Sequence, residues 1–130
     1  MISHVFIGVG DFARAHAFYA QLMPLLGLQQ KFADADKPWA GWVSPQAARP
    51  LLLIGHPHDG APHAPGNGQM TALLAPSRDA VGRVHAMAIA LGGRCEGAPG
   101  LRPDYHAHYY GAYFRDLDGN KLCVCCHQAE

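Results

Sequence analysis

Two strand-to-helix openings whose capping residues lie 66 positions apart constrain this 130-residue chain more than any other feature. The first begins with Ile2 to Val9, an apolar run rich in β-branched residues that reads as a strand. Gly10-Asp11 breaks it, and Asp11 is placed to cap a helix, because its carboxylate can accept the orphan amides of the first turn. From Phe12 to Leu26, residues Phe12, Ala15, Phe18 or Tyr19, Leu22 and Leu26 recur at helical spacing. Gly27 follows where a left-handed terminator sits, and Pro24 is expected to distort the last turn. The second opening repeats the order: the strand Met70 to Ala75, a break at Pro76-Ser77, and Ser77 as cap. Its helix carries Val81, Val84, Ala88 and Leu91 on one face, and Gly92-Gly93 stops it. The agreement of order and spacing predicts a tandem duplication of one supersecondary unit.

Strand signals complete each half. Gln29 to Phe32, Trp39 to Val43 and Leu51 to Ile54 follow the first helix. Arg94 to Glu96 as a short edge, Tyr109 to Arg115 and Lys121 to Cys126 follow the second. Asp116-Leu117-Asp118-Gly119-Asn120 reads as a hairpin turn, with Gly119 free to take a positive φ. Gly55 to Gly68 is dense in glycine, proline and histidine and reads as a connection. The expectation is an α+β fold, one domain over 1–130, with a first module at 1–58, a linker at 59–68 and a second module at 69–130.

Composition narrows the function. Lysine plus arginine equals aspartate plus glutamate at ten each, so there is no basic stripe for a nucleic-acid backbone. No apolar run approaches the roughly 20 residues of a membrane helix, and the N-terminus lacks the basic start of a signal peptide. A cytoplasmic protein with no nucleic-acid or membrane partner is therefore expected. Three of the four cysteines crowd the C-terminus, a poor layout for disulfides, so reduced thiols are expected. Nine histidines raise the question of a site.

HVFIGVGDFARAHAFYAQLMPLLGL and YGAYFRDLDGNKL, together with GNGQMTALLAPSRDAV, resemble the vicinal oxygen chelate superfamily, the glyoxalase/bleomycin-resistance/dioxygenase group. The Asp-x-Asp-Gly-Asn turn is the most specific of these matches. The resemblance implies paired βαβββ modules with mixed curved sheets enclosing a shared cavity, and commonly a homodimer. It also implies, for the metal-dependent members, four ligands on the first and last strands of each module. His4 matches the first of these positions. Met70 and Cys123 occupy two others, and no Asp or Glu lies between Lys37 and His58 for the fourth. A thioether is a poor ligand for a hard divalent ion and a thiolate selects softer metals. The expectation is no cofactor. A divalent metal is the alternative, with His4 and Cys123 as its candidate ligands.

Candidate site residues follow from alternation and composition. Ile2, His4, Phe6 and Gly8 share a strand face, which the resemblance directs to the cavity. His4, His106, His108, Tyr109 and Tyr110 are the candidate proton donors and acceptors, since an imidazole near neutrality serves either role. Phe6, Trp39, Trp42, Met70, Tyr105, Cys123 and Cys125 are candidate ligand contacts. Cys123, Cys125 and His127 alternate onto one face, where a soft zinc site, a nucleophilic thiol or simple packing all fit. His56, His58 and His63 read as a solvated loop, and His16 and His85 as structural residues on the helices. The leading reading is a metal-independent enzyme or binder for a compact polar or aromatic metabolite. The alternatives are a metal-dependent lyase or dioxygenase and an antibiotic-sequestering protein.

Overall fold

Asp11 and Ser77 cap helices as their positions require. The Asp11 carboxylate accepts from the Arg14 amide at 3.0 Å and opens α1, Phe12–Leu22. The Ser77 hydroxyl accepts from the Ala80 amide at 3.1 Å and opens α2, Arg78–Ala90. At Pro24 the first helix tightens into a 3₁₀ turn over Met23–Leu26, closed by Gly27 at φ 74°. This computed structural model describes all residues, 1–130.

The strands form two four-stranded mixed sheets of identical topology. The first contains β1 (His4–Gly8), β2 (Gln29–Asp34), β3 (Trp39–Val43) and β4 (Leu51–Gly55), in the order β1-β4-β3-β2. The second contains β5 (Thr71–Leu74), β6 (Arg94–Leu101), β7 (Tyr110–Arg115) and β8 (Lys121–Cys126), in the order β5-β8-β7-β6. In both, the strand before the helix pairs in parallel with the last strand of its unit. The fold is α+β, with two tandem βαβββ units. One difference from the sequence reading is β6, which runs well past Glu96. Gly97, Pro99 and Gly100 look like breakers, but register shifts against β7 between Cys95 and Gly97 and between Gly97 and Gly100 absorb them.

One core joins the two halves. Its 22 buried residues include Phe18, Tyr19, Trp42 and Ile54 from the first unit and Val81, Val84, Phe114 and Val124 from the second. Both helices contribute to it and touch each other, so they cover the same side of the molecule. The strands β1 and β5 come together at the junction: Ile2 and Val5 line one cleft with Leu73 and Leu74, and Phe6 to Gly8 line another with Met70 and Thr71.

The Asp116–Asn120 turn clasps the halves. Asp116 is 5% exposed, and its Oδ1 accepts the amides of Asp118 and Asn120 at 2.9 Å each. Its Oδ2 accepts the Tyr19 hydroxyl at 2.6 Å and Asn120 Nδ2 at 2.9 Å. Asn120 Nδ2 also donates to the Gly8 carbonyl at 2.9 Å, and Asp118 Oδ1 accepts the Gly10 amide at 2.9 Å. The hairpin of the second unit is thus bonded to the end of the first strand and to the first helix. Gly119, at φ 84°, makes the turn possible.

Candidate functional site

The side of the sheets away from the helices carries the chemistry. On β1, alternation turns Ile7 into the core and leaves His4 and Phe6 exposed. His4 Nδ1 lies 3.0 Å from the Ser3 hydroxyl and makes no other side-chain hydrogen bond. Gly8, Gly55 and Trp39 are register partners across β1, β4 and β3. The two glycines leave this row without side chains, and rings lie in the space. A Cβ on Gly8 would run into the His63 ring, and one on Gly55 would meet Phe6 Cζ at 3.0 Å. Phe32 packs on Trp39 with ring centroids 4.6 Å apart.

Two open cavities flank Phe6, which is 47% exposed. One, about 380 Å³, is lined by Phe6, Lys37, Pro38, Trp39, Gly55, His56 and His58. The other, about 220 Å³, lies at the junction of the halves and includes Phe6, Gly8, His63, Gln69, Met70, Thr71, Asn120 and Lys121. The histidines of the glycine-proline loop therefore border the cavities, His56 and His58 as exposed residues and His63 partly buried. His63 is the most constrained. Both hydrogens of Asn120 Nδ2 are donated, to Gly8 and to Asp116, so Asn120 Oδ1 accepts, and His63 Nε2 is the donor at 2.8 Å. Sequence reasoning missed these residues because glycine and proline dominate their surroundings. The available signal was the Asn120 of the turn motif, whose amide needs a partner.

On the second sheet the same side is filled by the chain's own residues. Cys123 is fully buried, and its Sγ lies 3.4 Å from the Tyr109 hydroxyl, which is 3.2 Å from that of Tyr113. Cys125 Sγ lies 3.6 Å from His127 Nε2, and His127 Nδ1 is 2.8 Å from His106 Nε2. Tyr105 packs edge-on against Tyr109 at 4.9 Å, and His106 stacks on His127 at 5.0 Å. Burial, with the neighbouring thiol and phenol, raises Tyr109 above the ordinary tyrosine range, and burial raises Tyr113 too. Burial pushes the Cys125 thiol up to about 11, so it is protonated at neutral pH and is not a resting thiolate nucleophile.

Of the expected site residues, the structure brings His106, Tyr109, Tyr105, Cys123 and Cys125 into this one cluster, and Phe6, Trp39 and Met70 to the cavities. His4 shares the open face with Phe6. Tyr110 and Trp42 are corrected to the core side, and His108 stands apart from the cluster's side-chain contacts. Tyr110 alternates to the opposite side from Gly111, packs against the core and carries Arg78 over its ring at 5.4 Å. Trp42 is 2% exposed on the helix side, beside His16 and Tyr19, and is a core residue, not a wall of the open face. The His108 side chain is exposed and makes no hydrogen bond, and only its amide is engaged, donating to His106 Nδ1 at 3.1 Å. Tyr113, not foreseen, faces the cluster because it is in register with Cys123.

The family model of the Glyoxalase/Bleomycin resistance protein/Dioxygenase superfamily matches residues 1–124. The chain belongs to this superfamily. A glyoxalase/bleomycin resistance protein from Albidiferax ferrireducens T118 is 36% identical, with a TM-score of 0.85 over 98% of this chain and 99% of the other. A glyoxalase/bleomycin resistance protein/dioxygenase family enzyme from Burkholderia phytofirmans PsJN shares the fold at 20% identity, with a TM-score of 0.71 and coverage of 97% and 98%. A lactoylglutathione lyase from Agrobacterium tumefaciens shares it at 20% identity, with a TM-score of 0.64 and coverage of 97% and 92%. No curated protein matches. No helix is long and apolar enough to cross a membrane.

The resemblance to metal-dependent members implies ligands for a divalent ion on the first and last strands of each unit. The residues present do not fit one. His4 has Leu51 as its register partner on β4, and β4 is apolar throughout. Met70 offers only a thioether, and the Cys123 thiol is fully buried and within reach of the Tyr109 hydroxyl. No three His, Cys, Asp or Glu side chains converge in a geometry able to hold an ion.

Proposed function

We propose that the protein is a small-molecule-binding member of its superfamily that works without a divalent ion, as an enzyme or a binder for a compact polar or aromatic metabolite. The observation that carries this reading is the contrast within one face. An open aromatic cavity of about 380 Å³ stands beside strand positions that lack metal-ligating donors. Concave sites of this size, apolar with a few polar groups, suit a small ligand. An imidazole at His4 and another at His63 border that face and supply proton donors or acceptors for an enzyme. Turnover of a bound metabolite assigns an enzyme, and stoichiometric binding without turnover assigns sequestration.

The test is a thermal-shift screen of metabolites joined to elemental analysis of tag-free protein. A ligand at 100 times its dissociation constant adds about 2.7 kcal/mol of stability. Stoichiometric zinc, nickel, manganese or iron that disappears in His4→Ala would overturn the metal-independent reading in favour of a lyase or dioxygenase. The exposed apolar side chains at the junction, Leu74 at 72% and Ile2 at 59%, favour a homodimer. Light scattering should give twice 14.0 kDa, and a concentration-independent 14.0 kDa overturns the dimer.

A further inference from the structure

We infer that the ligand of the open face is a planar aromatic anion, an inference that rests on the small-molecule reading above and names its chemical class. The row Gly8–Gly55–Trp39 is the foundation. Adjacent strands lie roughly 4.8 Å apart, so three neighbouring positions span a strip about as wide as a fused ring system. Because two of the three carry no side chain, the rings of His63 and Phe6 can approach the sheet beside Trp39. Phe6 then stands between two ring-lined cavities, with Trp39 in the larger and His63 in the smaller. A larger side chain at either glycine would displace the ring in front of it. Aromatic faces of this kind favour offset or edge-on contact with a flat ring.

The linings of the two cavities hold cations and no carboxylate. Lys37 lines the larger cavity with its Nζ over the Trp39 ring at 5.0 Å, and Lys121 lines the separate junction cavity with its Nζ over the Tyr113 ring at 5.7 Å. Neither lysine belongs to an ion pair, since all three ion pairs use arginine. No Asp or Glu lines either cavity, although the chain as a whole has as many acids as bases. The nearby acids are engaged elsewhere. Asp116 and Asp118 hold the clasp, and Asp34, next along the row, accepts the turn amides of Asp36 and Lys37 through its Oδ1. A flat ring in the larger cavity therefore meets the unpaired Lys37 and no carboxylate in the lining. A carboxylate on that ring is the complementary group.

Three probes of one shape and different charge test this: benzoate, benzamide and benzamidinium, titrated into ¹⁵N-labelled protein and followed by amide and indole chemical shifts. Benzoate should bind about tenfold more tightly than benzamide, with the largest shifts at Phe6, Gly55 and the Trp39 indole, and benzamidinium should not bind. Lys37→Met should weaken benzoate by about threefold, the scale of an exposed charge pair, and leave benzamide unchanged, while Lys121→Met, in the other cavity, should leave both unchanged. Equal binding of benzoate and benzamide at the same residues overturns the anionic class and leaves the proposed function standing. Shifts confined to the Tyr109 cluster overturn both. Binding of none of the three at millimolar concentration overturns the aromatic class, while the metabolite screen tests the proposed function separately.

Discussion

The two halves repeat one order of elements and treat the side away from their helices in opposite ways. In the first, β1 presents His4 and Phe6 to solvent, and glycines at Gly8 and Gly55 keep the sheet approachable. In the second, Tyr109, Tyr113 and His127 fold over Cys123 and Cys125, and the loop before β7 supplies His106 and Tyr105 to finish the cover. The repeated unit thus has one packing side, which builds the common core, while its other side is open in one copy and filled in the other. The difference lies in a few side chains: glycine where a ring must approach, and tyrosine and cysteine where a ring closes the space.

The comparison holds only if the halves are fixed against each other, and Asp116 is the residue that fixes them. Asp116→Ala strips partners from the Tyr19 hydroxyl, two turn amides and Asn120 Nδ2 at once. Unsatisfied buried groups cost about 1–3 kcal/mol each and are not additive. A loss of roughly 3 kcal/mol in urea unfolding is expected, together with loosening of His63, which Asn120 orients. A loss under about 1 kcal/mol would show that the core alone sets the pairing and that the clasp is incidental.

Tyr109→Ala sharpens the contrast directly. In the native protein one thiol, the exposed Cys95, should react promptly with a thiol reagent, while Cys123, Cys125 and Cys126 stay protected. Removing the Tyr109 ring should bring Cys123 into the reactive set and cost about 1–2 kcal/mol. Unchanged thiol counts in a folded variant would mean that Tyr109 is not the cover.

Alkali separates the halves in another way. Burial keeps the Cys125 thiol protonated up to about 11, against an ordinary 9.0. Between those values the folded chain retains a proton that the unfolded chain has lost. This contribution to stability is therefore full below pH 9 and falls as pH rises towards 11. The raised Tyr109 and Tyr113 extend the fall to higher pH. Stability by urea unfolding should decline from about pH 8 to about pH 10.5, and Cys125→Ala should flatten that decline. An unaltered slope would show that Cys125 is not its source and leave it to the raised tyrosines Tyr19, Tyr109 and Tyr113.

Much of the fold was legible because its signals are local. Asp11 and Ser77 cap, Gly27 and Gly92 terminate, and period-two runs mark the strands, none of which needs a distant partner. The site was legible only in part, because it depends on phase and on contacts across the chain. Tyr109 and Tyr110 are adjacent and similar, yet the start of β7 sends one to the thiols and the other to Arg78. Trp39 and Trp42, three apart on one strand, fall on opposite sides for the same reason. The loop histidines were hidden differently. Their composition reads as solvent, and only the pairing of His63 with Asn120, 57 residues away, draws that loop over the sheet.

The smallest effect tests the comparison at its finest grain, one residue on each side. His4 is exposed and bonds only to Ser3, so His4→Phe removes no buried contact and should change stability by under about 0.5 kcal/mol. Cys123→Ser alters a fully buried atom by a similarly small chemical step. It buries a hydroxyl in place of a soft thiol, and should cost about 1 kcal/mol, moderated by the Tyr109 hydroxyl nearby. Function should follow the reverse order. If the open half is the working surface, His4→Phe weakens ligand binding or turnover while Cys123→Ser leaves it close to native. A folded Cys123→Ser protein without activity, beside an unaffected His4→Phe, would move the chemistry to the covered thiols and make the open face the passive half.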